Sequence, residues 1–328
     1  MSKPLSKPLN NMRWLITGAR GFVGTHLVDY LMEIPAVESI WGIDRSPKPV
    51  AKRYATALRM HSAGLQDVNA LCRCISEIQP THIVHLAAQS SVAASWKAPI
   101  DCFLNNTNIF LNLVEAVRLT QCPSTILSVG SSEEYGPRTA EEIPLKESLF
   151  PSPTNPYAVA RVSQELLSRV YADSYGLSII CTRSFNHVGP NQPDHYVASS
   201  FCKQAVEVLL GRREMITAGN LDIVRDFIDV RDVVRAYVLL LTHGQSGSLY
   251  NVCSGQGTQL SQLVEMICKL AAVVGRWEID PERVRPADNP IIVGDNSRLV
   301  TLGFKPRYSL VQSLSDQIAT WKQTLATS

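Results

Sequence analysis

From residue 12 onward the chain alternates short apolar runs with segments whose apolar residues recur at helical spacing. The runs at 14–17, 39–44, 82–85, 125–129 and 177–183 read as strands. Segments 25–31, 68–78 and about 103–119 read as the helices between them. Repeated strand and helix of this kind predicts an α/β fold, a parallel sheet covered by helices on both faces. Beyond residue 183 the alternation loosens, leaving helical stretches at 199–210, 230–241 and 260–272 and a short strand at 249–252.

Ligands of such sheets collect at the carboxyl ends of the strands, and two of those ends carry chemistry. The first strand runs into Gly18-Ala19-Arg20-Gly21-Phe22-Val23-Gly24 and then a helix. Glycines at these positions permit a tight turn, close approach of backbone to a pyrophosphate and close packing of helix on strand, with the phosphates facing the helix N-terminus. The second strand ends at Asp44, twenty residues after Gly24, where a carboxylate meets a ribose. This context predicts a dinucleotide site. Asp44 accepts hydrogen bonds from a 2′-hydroxyl and repels a 2′-phosphate, whereas Arg45 welcomes one, so NAD(H) is favoured over NADP(H) with dual use left open.

The other end is Ser128-Val129-Gly130-Ser131-Ser132-Glu133-Glu134-Tyr135-Gly136, a strand closing on a small hydroxyl and a carboxylate. Downstream, Asn155-Pro156 is a helix start, Asn as N-cap and Pro at the first helical position. Tyr157 and Arg161 follow four residues apart, on one face of that helix, so a guanidinium sits near a phenol. That is the geometry of a tuned proton donor.

Bulk properties narrow the partners. The 328 residues suffice for one large domain or two small ones, and a net charge of +2 with scattered Lys and Arg gives nucleic acid no stripe to bind. Eight dispersed cysteines fit a reduced, cytoplasmic compartment, and neither they nor the seven histidines show metal-ligand spacing. Residues 1–11 read as a flexible tail without the apolar run of a signal peptide, and no segment approaches the length needed to span a bilayer. Two arginine-bearing loops, Arg225-Asp226-Phe227 and Arg283-Val284-Arg285-Pro286, are candidates for clamping a second diphosphate.

As a set, Thr17-Gly18-x-x-Gly21-Phe22-Val23-Gly24, His85-Leu86-Ala87-Ala88, the Ser131 stretch, Tyr157 with its cation, and Arg183-x-Phe185-Asn186-x-x-Gly189-Pro190 resemble the extended short-chain dehydrogenase/reductases that act on nucleotide sugars. Within that superfamily, residues 130–136, 184–192, 219–227 and 250–255 most resemble GDP-4-dehydro-6-deoxy-D-mannose reductases. The resemblance implies a Rossmann-type doubly wound parallel sheet (12–185 plus about 226–252) and a smaller C-terminal α/β substrate-binding subdomain (about 186–225 plus 253–328). It also implies a homodimer formed through helices 103–119 and 156–175.

By the same resemblance, Ser131 hydrogen-bonds the C4 carbonyl, Tyr157 delivers the proton and the nicotinamide delivers the hydride. Gly18, Arg20, Gly21, Phe22, Val23, Asp44 and Arg45 would line the dinucleotide. Leu65, Leu86, Ala87, Ala88, Asn106 and Val188 would complete that surface, together with Tyr157 and Arg161. Ser132, Asn186, Lys203, Arg225 and Arg285 would face the GDP-sugar, and Glu133 holds the position that serves as base in the related dehydratases.

Two positions depart from the pattern. Gly64 stands where the family carries an acid toward the adenine, which leaves that contact to Leu65 or to backbone. Arg161 stands where the family has Lys, a planar fork in place of a compact ammonium. A phenol of ordinary pKa, about 10, is protonated at neutral pH, so reduction needs little from this cation; deprotonating an alcohol needs about three units, roughly 4 kcal/mol. The exchange therefore disfavours oxidation-first chemistry. The alternative activities are GDP-mannose 4,6-dehydratase or another nucleotide-sugar epimerase or dehydratase, and a non-catalytic dinucleotide or nucleotide-sugar binding protein.

Overall fold

A computed structural model describes residues 11–44, 52–275, 277–283 and 289–326. The chain begins with β1 (Met12–Thr17), α1 (Phe22–Met32), β2 (Val37–Ile43) and β3 (Leu58–His61). Next come α2 (Val68–Ile78), β4 (His82–His85), two short helices α3 (Val92–Lys97) and α4 (Pro99–Phe103), α5 (Ile109–Leu119) and β5 (Thr125–Ser131). The long α6 (Pro156–Tyr175) then leads into β6 (Ser178–Ser184). Side chains set several of these boundaries. The Asp67 carboxylate accepts from the N–H groups of Asn69 and Ala70 to start α2, Asn155 accepts from Ala158 N–H to start α6, and Gly176 in the left-handed region closes α6.

The second half contributes β7 (Asn186–Val188), α7 (Val197–Leu209), β8 (Ile216–Ala218), β9 (Val224–Asp229), α8 (Val230–His243), β10 (Leu249–Val252) and β11 (Gly257–Gln259). It ends with α9 (Leu260–Ala271), β12 (Trp277–Ile279), β13 (Ile291–Ile292), α10 (Ser297–Thr301) and α11 (Leu310–Ala326).

Seven parallel strands form the large sheet in the order β10-β6-β5-β4-β1-β2-β3. The order reverses between β1 and β4, the crevice where sheets of this kind bind ligands. Successive residues of β1 serve opposite faces: Trp14 and Ile16 join Leu27, Leu127 and Tyr237 under α1 and α8, whereas Leu15 joins Ile75, Phe110 and Ile126 under α2 and α5. Burial on both faces is why these strands read as continuous apolar runs.

A smaller lobe holds β9 at its centre, flanked by β7, β11 and β13, with a separate β12-β8 pair. Phe201, Val206, Leu263, Ile267 and Leu314 bind α7, α9 and α11 into one apolar cluster beside it. β9 pairs within this lobe, and α8, which follows it, packs on the large sheet through Val233, Tyr237 and Leu240. Among the described residues no helix is long and apolar enough to cross a membrane.

One expected helix is not continuous. Between α4 and α5 the backbone widens into a π turn over Leu104–Asn108. The wider turn faces Asn106 inward, where its amide reaches Cys102 O at 2.7 Å and its carbonyl accepts from Gln89 N–H at 3.1 Å. Insertions of this kind are frequent at functional sites.

Candidate active site

The glycine turn after β1 is built for close approach. Gly18 has φ +70°, and a Cβ at Gly24 would lie 2.4 Å from Gly18 O, so neither position has room for a side chain. Asp44, at the end of β2, reaches across the turn, its carboxylate accepting from Arg20 N–H at 3.3 Å. The Thr17 hydroxyl accepts from Ala87 N–H at 3.2 Å and lies 2.9 Å from His85 Nδ1, tying the turn to the loop after β4. Glycine cradle, helix N-terminus and distal carboxylate together fit a dinucleotide.

At the end of β5, Ser131 begins a capping box: its Oγ accepts from Glu133 N–H at 3.3 Å, and the Glu134 carboxyl accepts from Ser131 N–H at 2.6 Å. The Ser131 hydroxyl proton is thereby left for another acceptor. Gly136 lets the chain fold back, since a Cβ there would strike Ser152 O. This return brings the start of α6 to β5, and the Asn155 amide, which also caps α6, donates to Glu133 Oε2 at 3.0 Å.

Tyr157 lies in the first turn of α6, 6% exposed, and Arg161 one turn on, 5% exposed. Arg161 Nε donates to Tyr157 Oη at 3.3 Å, with the guanidinium carbon 5.3 Å from the ring centre. Its Nη1 donates to Val129 O at 3.0 Å and to Gln164 Oε1 at 2.7 Å. The guanidinium thus lies beside the phenol, held there by Val129 O and Gln164.

A model of the GDP-mannose 4,6 dehydratase family matches residues 15–317. The GDP-6-deoxy-D-mannose reductase of Pseudomonas aeruginosa is 34% identical over 312 residues, 94% of this chain and 97% of its own length. The chain belongs to the GDP-mannose 4,6 dehydratase family.

Solved structures agree with this family's fold. RMD from Pseudomonas aeruginosa complexed with NADPH superposes with a TM-score of 0.82 at 30% identity, covering 95% of this chain and 100% of that one. The UDP-glucose 4-epimerase of Thermotoga maritima with UDP-glucose gives 0.87 at 26% identity, covering 96% and 100%. RMD and a UDP-glucose 4-epimerase thus share this scaffold.

Several residues expected to contact ligands also make contacts within the protein. Val188 is fully buried in the small-lobe core. Leu65 likewise packs inward, with its carbonyl accepting from Asn112 Nδ2 at 3.0 Å. Asn106, fully buried, shapes the Gln89 loop through the π turn. Arg225 is buried, with Nη1 donating to Val224 O and to Asn289 O at 3.0 and 2.8 Å; it anchors the segment that re-enters at Asn289. Lys203 forms an ion pair with Asp194 at 2.7 Å on the flank of α7. Apolar periodicity and motif position do not distinguish these inward roles from ligand contact.

Phe22, Val23, Leu86, Ala87, Ala88 and Asn186 are half-buried around the turn, the β4 loop and β7, while Ser132 is buried beside Ser131. Arg45 and Arg285 fall outside the described residues.

Other neighbours of Ser131 and Tyr157 were not read from the sequence. Glu134 is fully buried, and burial together with the Glu165 carboxylate pushes its pKa well above the ordinary range, favouring the neutral acid. Arg183 sits between them, bidentate to Glu165 at 2.9 Å through both nitrogens and 3.7 Å from Glu134. The Ser131-x-x-Glu134 spacing is a capping-box signature and was legible. Tyr196, at the start of α7, lies 2.6 Å from Ser90 Oγ across the cleft; burial raises its pKa, and both Tyr157 and Arg161 influence it electrostatically.

Proposed function

We propose that this protein reduces the C4 ketone of GDP-4-dehydro-6-deoxy-D-mannose, forming GDP-D-rhamnose with a bound NADH or NADPH. The observation that carries this reading is the buried Tyr157 hydroxyl, which accepts from Arg161 Nε–H and keeps its own proton for an external acceptor. A bound dinucleotide supplies hydride to C4. Tyr157 delivers a proton to the C4 oxygen, which becomes the product hydroxyl, and Ser131 donates a hydrogen bond to that oxygen as negative charge develops. Burial of the pair excludes water that would compete for the proton.

The 34% identity to the Pseudomonas aeruginosa reductase supports the substrate class. The NADPH in the related RMD structure supports a nicotinamide dinucleotide, and Asp44 beside Arg20 N–H favours a free ribose hydroxyl. The GDP end would lie over the small lobe, where Gly219, Asn220, Leu221, Asp222 and Ile279 line an open depression.

A second reading is GDP-mannose 4,6-dehydratase. It is favoured by one observation: Glu133, half-buried next to Ser131, is a carboxylate within the same cluster. Its Oε2 is held by the Asn155 amide that also caps α6, which suits a fixed orienting role better than repeated proton transfer. Incubating the protein with GDP-mannose and NAD(P) separates the readings: the dehydratase yields a 4-keto product without added reductase, whereas the reductase leaves GDP-mannose unchanged.

The assembly we propose is a homodimer. Val159, Leu166 and Val170 project from α6 at spacings of seven and four residues and are 39%, 51% and 51% exposed, an apolar stripe on an otherwise polar face. Ile100, Phe103 and Leu104 expose more apolar surface on the neighbouring α4 and π turn. Two copies of this surface packed together would bury both stripes.

A further inference from the structure

We infer that Gln164 is a positioning residue for catalysis, the part that makes an arginine usable beside Tyr157. The inference rests on the reductase reading for its kinetic effects, and on geometry alone for the placement of the cation.

Arg161, Gln164 and Ser168 stand at i, i+3 and i+7 on the seam of α6 that faces β5. Gln164 Oε1 accepts from Arg161 Nη1 at 2.7 Å. Its Nε2 donates to Ser128 Oγ at 2.9 Å and to Val129 O at 3.1 Å. The Ser168 hydroxyl lies 2.9 Å from Ser128 Oγ and 2.8 Å from the Gln164 carbonyl. Gln164, Ser168 and Ser128 are all essentially buried.

This closed set fixes the orientation of the amide. Turning it over would aim its NH2 at the guanidinium and its oxygen at the Val129 carbonyl, replacing two attractions by two repulsions. Val129 O already receives both Arg161 Nη1 and Gln164 Nε2, which fills its two lone pairs. The oxygen of Gln164 therefore always faces Arg161.

An arginine side chain has more rotatable bonds than its task here requires, and a buried guanidinium without an acceptor is costly. Gln164 and Val129 O together pin one end of the fork, which leaves Nε aimed at Tyr157 Oη. A lysine at 161 has no second nitrogen to give Gln164, so the relay is specific to arginine. Sequence spacing shows none of this, because a glutamine on a helix face reads as an ordinary surface polar residue.

The test compares Gln164→Leu in two backgrounds, with GDP-4-dehydro-6-deoxy-D-mannose and NAD(P)H. In the natural protein we expect kcat to fall about tenfold or more while both KM values stay within about threefold. In the Arg161→Lys background the same replacement should cost less than about threefold, because the partner of the amide is gone. Equal losses in both backgrounds would mean a purely structural role and overturn the inference.

A crystal structure of Gln164→Leu adds a readout independent of turnover: the Arg161 guanidinium should leave its place beside Tyr157 Oη. A guanidinium still within hydrogen-bond distance of Tyr157 Oη overturns the inference whether or not the protein proves to be a reductase. Absence of ketone reduction in the natural protein, with the guanidinium displaced in the variant as expected, would instead overturn the reductase reading and leave the placement of Arg161 by Gln164 supported.

Discussion

Arg161 Nε donates to Tyr157 Oη at 3.3 Å across one turn of α6, both side chains buried. The bond occupies a lone pair of the phenol oxygen, so the phenol proton is aimed away from the cation. Tyr157→Phe removes that proton and nothing of the fold's framework. Its kcat for ketone reduction should fall by about 10²- to 10⁴-fold, as for other lost general acids, with dinucleotide affinity changed by less than about threefold. Stopped assays of product paired with cofactor titration check both halves.

Arg161→Lys exchanges a planar fork for a compact ammonium. We expect reduction at neutral pH within about threefold of the natural protein, because the phenol needs only a nearby cation to give up its proton to the ketone. A loss of kcat beyond about tenfold would show that the planar fork itself is required.

Much of this site was legible in the sequence because it depends on local spacing. Asn155-Pro156 marks the start of α6, four residues separate Tyr157 from Arg161, and glycines at 18, 21 and 24 mark the turn. What stayed hidden depends on which way a side chain turns. Sequence position does not show that Arg225 donates to Asn289 O or that Val188 joins the small-lobe core. The π turn at 104–108 interrupts a segment that the sequence reads as one continuous helix. Gln164 becomes meaningful only when β5 supplies Ser128 and the Val129 carbonyl.

His85 links the fold to acid stability. It is fully buried at the end of β4, and burial, aided by the nearby Arg161 charge, lowers its pKa to about 3. The unfolded chain titrates near 6.5 and so binds this proton first, which makes stability rise with pH across the interval. The contribution is complete above about 6.5 and is lost as pH falls toward 3, amounting to a few kcal/mol. Urea melts at pH 7 and pH 4.5 should show a smaller difference for His85→Asn than for the natural protein; parallel losses would place the acid sensitivity elsewhere.

Leu166→Glu puts a charge at the centre of the exposed α6 stripe. Light scattering on the eluting protein should give twice the chain mass for the natural protein and one chain mass for the variant, with an unchanged far-ultraviolet spectrum. A natural protein that elutes as a monomer would contradict the proposed dimer.

The most direct test feeds GDP-4-dehydro-6-deoxy-D-mannose to the purified protein with NADH and NADPH separately and identifies the product by NMR. One equivalent of reduced cofactor should be consumed per ketone, with GDP-D-rhamnose as product and both abolished in Tyr157→Phe. Tight cofactor binding without consumption, or conversion of GDP-mannose to the ketone in place of its reduction, would contradict the reductase reading.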